Sequence, residues 1–172
     1  MKAIEIQFCP SCGKASLKHH DEKSYRCEAC DFIYYHNIAA ATVAIIRYQN
    51  EILFTFRAFD PFKGMLDLPG GFQERGESYE AGLQRELHEE LGILIDVDQM
   101  QYLFSYPNTY PYKGLVYYST DAYFEIVLDY KPKISAGDDV QAVKWLLIEE
   151  IKEQKIAFEN MKKALTKYID GI

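Results

Sequence analysis

The spacing of apolar residues changes several times along this 172-residue chain, and each change marks an element. From Ile38 to Arg47 nearly every position is apolar. The β-branched half of that run, and the Tyr-Gln-Asn-Glu turn that follows, predict a buried strand rather than a helix. Glu51 to Arg57 alternates Ile52, Phe54 and Phe56 with Leu53, Thr55 and Arg57, the pattern of a returning hairpin partner. Further strand-like runs cover 93–105, 116–128 and 140–147, the last around Trp145. Between the first two, Tyr106 to Gly114 holds two prolines and a glycine and predicts a loop. From Ile156 to Ile169, Phe158, Met161, Leu165 and Ile169 recur at helical spacing, which predicts an amphipathic helix packed on the sheet.

The stretch from Gly71 to Ile93 has a different character. A glycine loop, entered through Leu68-Pro69-Gly70, leads into a helix carrying Arg85, Glu86, Glu89 and Glu90. Residues three and four apart share a helix face, so the three glutamates repel one another unless a cation sits among them. Hard divalent cations take oxygen ligands, and substrate phosphates commonly complete a Mg²⁺ shell. The competing reading of such a charge run is a solvated acidic face. Glu77 at the helix entrance suits the positive end of the dipole and can pair with Arg85. The glycines, Gly71 among them, let the backbone approach a metal or phosphate closely, and Gly92 supplies the C-terminal stop.

All four cysteines lie within the first thirty residues, as Cys9-Pro-Ser-Cys12 and Cys27-Glu-Ala-Cys30, with fourteen residues between the pairs. Two C-x2-C knuckles at this distance predict one tetrahedral Zn²⁺ site, closed by protein ligands and therefore structural. Disulfides are the alternative, disfavoured in a reducing cytosol. So small a ribbon has little core of its own, and metal binding is expected to fold it.

Charge narrows the partners. The formal net charge is −7, yet residues 1–37 balance five basic against five acidic side chains, so the acidity belongs to the remainder. With no clustered Lys/Arg run, nucleic acid is not an expected partner. The ribbon is expected to pack on the main domain or to form a homodimer contact. The chain shows no signal-peptide pattern and no bilayer-length apolar run, which predicts a cytoplasmic protein with no membrane association.

The pattern G-x5-E-x7-R-E-U-x-E-E-x-G-U, with U aliphatic, is filled by Gly71, Glu77, Arg85, Glu86, Leu87, Glu89, Glu90, Gly92 and Ile93. On these residues the chain resembles the Nudix hydrolases. The cysteine spacing, followed by Tyr34-Tyr35-His36-Asn37-Ile38-Ala39, is similar to the bacterial NADH pyrophosphatases, and this likeness runs to Trp145. That subfamily has a further N-terminal domain outside these residues. Its Ser-Gln-Pro-Trp-Pro-Phe-Pro element stands here as Ser105-Tyr106-Pro107-Asn108-Thr109-Tyr110-Pro111.

The resemblance implies an α/β/α sandwich with a mixed sheet, occupying 38–172, preceded by a zinc ribbon over 1–37. It implies Mg²⁺- or Mn²⁺-dependent hydrolysis of a nucleoside diphosphate linked to another group, such as a dinucleotide or an ADP-ribose-like compound. Glu86 and Glu90 are then the principal metal ligands, with Gly71 beside them and Glu89 a further ligand or the base. Glu77 and Arg85 orient the box. Asp139, with Asp138 in reserve, is the expected acidic residue from outside the box. Arg57 is a candidate phosphate contact or a surface ion pair, and Tyr110 and Tyr112 are candidates to stack on a base. Two other readings stand beside the enzyme: a nucleotide-binding regulator, and an RNA-end binder using the ribbon.

Overall fold

The computed structural model describes residues 6–137 and 139–172. They group into two compact units, one comprising the N-terminal residues to 38 with 111–117, the other 39–110 with 118–172.

In the first unit, β1 (Leu17–Asp21), β2 (Ser24–Cys27) and β3 (Ile33–Tyr35) form an antiparallel sheet in that order. Its buried core consists of Cys9, Leu17 and Cys27, with Ile6, Tyr25 and Tyr34 packed against it. Apolar burial on that scale does not hold a fold by itself. The two cysteine knuckles are copies of one turn. Gly13 N–H donates to the Cys9 carbonyl at 2.8 Å and Asp31 N–H to the Cys27 carbonyl at 2.9 Å. Both turn residues are left-handed, with φ of 72° at Gly13 and 58° at Asp31. Glycine takes that conformation freely, and aspartate is among the few other residues that tolerate it.

The second unit is built on a mixed sheet. Its strands are β4 (Ala39–Tyr48), β5 (Glu51–Arg57), β6 (Leu66–Asp67), β7 (Gly70–Phe72), β8 (Gln101–Tyr112), β9 (Leu115–Val127) and β10 (Val140–Leu147). The main order is β10-β5-β4-β9-β8, with β6 on β5 and β7 on β4. β4 runs parallel to β9 from Ala39↔Ser119 to Arg47↔Val127. Being central, β4 is apolar on both faces, which is why its sequence does not alternate. Val43 and Ile45 enter one core with Met161, Leu165 and Tyr168 of helix α2 (Glu159–Ile169). Ala44 and Ile46 enter the other with Leu83, Leu87 and Leu91 of helix α1 (Tyr79–Leu91). Helices therefore cover both faces of the sheet, an α/β/α sandwich.

One irregularity in the sheet places the site. β4 and β5 pair only at Arg47↔Ile52 and Tyr48↔Glu51, beside their turn. Beyond that point the two strands part, and residues 66–72 fill the fork. β6 pairs with β5, β7 pairs with β4, and the Pro69 carbonyl between them accepts from Ala44 N–H at 2.8 Å. Gly70, at φ 142°, presses on the Thr42 carbonyl so closely that a side chain there would overlap it. The fork delivers the glycines to the face of α1 that carries Glu86 and Glu90.

Two expectations need correction. The run 93–105 is not one strand. Ile93 and Ile95 are buried against α1 as plugs, a 3₁₀ turn covers Val97–Gln99, and β8 begins at Gln101. Their alternation reflects that burial rather than a ladder. Nor is 106–114 a loop, because β8 continues to Tyr112 and turns at Lys113 (φ 47°) and Gly114 (φ 83°). β8 lies at the sheet edge, where one side of the strand lacks ladder partners and proline is tolerated. Residues 107, 109 and 111 share a side by alternation. Two are prolines, and Thr109 N–H donates to its neighbour Asn108 Oδ1 at 2.8 Å.

Candidate active site

Helix α1 opens at Ser78, whose Oγ accepts from Ala81 N–H at 3.2 Å, and closes at Gly92, left-handed at φ 67°. Between these caps Arg85 acts as a hub. Its Nε donates to Glu77 Oε1 at 2.8 Å, and Nη2 donates to Glu77 Oε2 at 3.1 Å and to the Phe72 carbonyl at 3.0 Å. Nη1 donates to Glu86 Oε1 at 2.8 Å and to Glu89 Oε2 at 3.0 Å. The planar fork thus binds loop and helix together through charge-assisted bonds. Its hydrogen bond to Glu77 is the main cause of a raised Arg85 pKa and, reciprocally, of a lowered Glu77 pKa.

The glutamates do not share one fate. Glu90 is buried, and its Oε2 accepts from Gly70 N–H at 3.0 Å. Burial pushes its pKa well above the ordinary range, and the neighbouring charges of Glu86, Asp67 and Asp139 push the same way. Glu86 is also raised by burial, against the pull of Arg85. Its carboxylate lies where a side chain on Gly71 would have to be, which explains the glycine there. Glu89 is more exposed, turned to Arg85, and is not among the residues lining the cleft. The spacing placed all three glutamates on one point, but Arg85 draws the third aside.

Asp139 reaches the same cleft from a distant part of the chain. Ser135 N–H donates to the Leu91 carbonyl at 3.0 Å and Gly137 N–H to the Glu90 carbonyl at 2.9 Å, so the loop closes the end of α1. A Cβ on Gly137 would stand 2.7 Å from the Glu89 carbonyl oxygen, so the loop packs this closely only with glycine. Asp139 then lines the cleft with Glu86, Glu90, Gly70 and Gly71. Asp138 lies outside the described residues.

Arg57 is not a surface ion pair. Its Nη1 donates to Asp67 Oδ2 at 2.5 Å, Nε to the Pro61 carbonyl at 2.7 Å and Nη2 to the Tyr110 hydroxyl at 3.2 Å. Asp67 is buried, and burial raises its pKa despite Arg57. The Tyr110 ring stacks on Phe158 at 5.8 Å and meets Phe72 edge-on at 5.8 Å. Arg57 and Tyr110 both line the cleft. Tyr112 falls in the other unit, where Lys113 Nζ sits 5.1 Å from its ring centre. Sequence reading missed Asp67, although an aspartate flanked by Leu66 and Leu68 signals a charge inside an apolar run that needs a buried partner.

The fit to a divalent cation rests on Glu90, a buried carboxylate with one backbone donor and three acidic neighbours. Such a group is stable as an anion only beside positive charge. At the other site, the four cysteine Sγ atoms lie within 4.8 Å of one another. Cys9 and Cys30 are 3.8 Å apart and Cys12 and Cys27 3.7 Å. A tetrahedral ion with thiolate bonds of ~2.3 Å has S···S edges of about 3.8 Å. The four cysteines therefore fit ligands around one centre. Among the described residues theirs is the group of three or more candidate ligands drawn this close.

A family model described as the NUDIX domain matches residues 36–168. The chain is 32% identical to the ADP-ribose pyrophosphatase of Methanocaldococcus jannaschii, over 87% of this chain and 80% of that protein. It is 29% identical to the NAD-capped RNA hydrolase NudC of Pseudomonas entomophila over 87% of its own length, and spans about half (51%) of that relative. A Nudix hydrolase structure from Nitrosomonas europaea matches with a TM-score of 0.67 at 25% identity, covering 96% of this chain and 91% of that one. The complete box, the sandwich that carries it and these matches lead to one conclusion: the chain, with its N-terminal cluster of four cysteines, belongs to the Nudix hydrolase family.

Proposed function

We propose that this chain is a Mg²⁺- or Mn²⁺-dependent pyrophosphohydrolase that cleaves the diphosphate of a nucleoside diphosphate joined to another group, ADP-ribose or a dinucleotide such as NAD. The observation that carries this reading is the convergence of Glu86, Glu90 and Asp139 on one cleft floored by Gly70 and Gly71. A cation held there by Glu86 and Glu90 supplies charge neutralisation of the phosphate oxygens and lowers the pKa of water.

The chain's own residues do the remainder. Arg85 and Glu77 hold the loop on the helix, so that the Gly70 and Gly71 backbone stays beside the diphosphate. Arg57, fixed by Asp67 and the Pro61 carbonyl, has further N–H groups to offer phosphate oxygens. The Asp139 carboxylate takes the proton of the attacking water as its oxygen bonds to phosphorus and the bridging P–O bond breaks. The products are two phosphate-bearing fragments. Tyr110 flanks the bound nucleotide. Zn²⁺ on Cys9, Cys12, Cys27 and Cys30 folds residues 1–37, leaving 38–172 as the hydrolase domain. These residue roles are supported by the cleft geometry, and the substrate class by the names of the relatives.

The test is a panel of ADP-ribose, NAD, NADH, dinucleoside polyphosphates, nucleotide sugars and nucleoside triphosphates, each with and without Mg²⁺. The reading predicts metal-dependent release of a nucleoside monophosphate from at least one of the diphosphate-linked compounds. Turnover of nucleoside triphosphates alone would overturn it.

A further inference from the structure

A second acidic group lies deep in the same unit and takes no part in the chemistry above. Asp121, on β9, is buried, with a relative exposure of 6%. Its carboxylate accepts from Ser119 Oγ at 2.7 Å and from Asn160 Nδ2 at 2.8 Å. Both donors are neutral, and the ion pairs among the described residues include none to Asp121. A buried carboxylate is ordinarily matched by a cation or saturated with donors. Here two oxygens, with room for about four hydrogen bonds, receive two.

The surroundings hold a further unmet acceptor. Asn160 spends its amide on Asp121 and on the Tyr123 hydroxyl, at 3.2 Å, and its own buried Oδ1 has no partner. Asp121 nevertheless lines a pocket. The pocket shares Arg57, Asp67, Gly70, Gly71, Phe72 and Tyr110 with the catalytic cleft. Its remaining lining is mainly apolar, with Val43, Leu68, Phe158 and Met161 beside the smaller polar groups of Thr42 and Ser119. A mainly apolar pocket with the Asp121 carboxylate in its lining suits a flat ring with an N–H donor on its edge.

We infer that Asp121 is a specificity-determining residue whose carboxylate accepts a hydrogen bond from an amino or amide N–H on a flat heterocycle of the substrate. This rests on the proposed nucleotide substrate but not on turnover. The heterocycle comes from one of two sources, the 6-amino edge of adenine or the carboxamide of a nicotinamide ring. A ring without that amino group, or with a carboxylate in place of the carboxamide, offers the Asp121 carboxylate no donor and is rejected.

Calorimetric binding without added divalent metal separates these sources and does not depend on hydrolysis. ADP-ribose is compared with its 6-deamino (purine) analogue, which has no N–H on that edge, and NAD with its nicotinic acid analogue. The N–H-bearing member of at least one pair should bind at least tenfold more tightly, and the pair that discriminates identifies the ring. Asp121→Asn should bring that ratio to within about threefold, since an amide presents donor and acceptor alike. Equal affinity within both pairs in the wild type, no binding of any of the four, or an unchanged ratio in Asp121→Asn would each overturn the assignment. The wild-type ratios stand even where the variant fails to fold. Discriminating binding without metal-dependent turnover would refute the hydrolase reading and leave the assignment intact.

Discussion

The backbone N–H of Gly137 donates to the carbonyl of Glu90 at 2.9 Å, which ties the loop bearing Asp139 to the last turn of the box helix. The second acidic element of the site is therefore placed by the same residue whose side chain forms the first. Asp139→Asn should lower kcat at least ~10²-fold with little change in KM, because the lost carboxylate serves the transition state. Steady-state kinetics on an active diphosphate substrate check this. Wild-type kcat in the variant would assign the base elsewhere.

Metal binding should show in stability as well as in turnover. Burial raises the pKa of both Glu90 and Glu86 in the folded chain. Each holds a proton that the unfolded chain gives up near the ordinary glutamate value of about 4.3. The folded metal-free protein keeps that advantage below this value and loses stability as pH rises through the raised folded values. A divalent cation removes the penalty by pairing with the ionised forms. The rise in Tm on adding Mg²⁺ should therefore be larger at pH 8 than at pH 5. A shift equal at both pH values, or absent, contradicts the placement of the cation at Glu86 and Glu90.

Arg57 provides a test of buried electrostatics. Arg57→Ala leaves Asp67 buried without its cation, which should destabilise the protein by about 3–5 kcal/mol in denaturant unfolding. Asp67→Asn in the same background should recover part of that loss, because the stranded charge is gone. A loss below about 1 kcal/mol in the single variant would mean that water reaches Asp67.

The box and the cysteine knuckles were legible in the sequence because each is local. Helix periodicity alone sets Glu86 and Glu90 one turn apart, and each knuckle closes within five residues. The fork between β4 and β5 was not legible, since Asp67 and Gly70 acquire their roles only by pairing with Thr55 and Val43 on different strands. Asp121 and Asn160 stand 39 residues apart and carry no joint signal. Prolines misled the reading of 106–111, because whether a strand lies at an edge is decided by topology. Asp139 was legible only through the family resemblance, because the close approach of Gly137 to the Glu89 carbonyl is visible only in the fold.

The ribbon should hold one zinc per chain. Removing it with a chelator should expose the amides of residues 6–35 to hydrogen exchange while the β4–β5 core stays protected, since the ribbon's own core is limited to Cys9, Leu17 and Cys27 with a few partly buried side chains. Elemental analysis showing no zinc in the folded protein, or mass spectrometry showing two disulfides, would contradict this.

The most direct test of the central claim is Mg²⁺-dependent release of AMP from ADP-ribose by the wild type and by Glu90→Gln. The substitution keeps the side chain's shape and its bond from Gly70 N–H while removing the charge that meets the cation. The account predicts release in the wild type only with the metal, and a loss of at least ~10²-fold in the variant with the fold intact. Undiminished release by Glu90→Gln would place the chemistry outside the box.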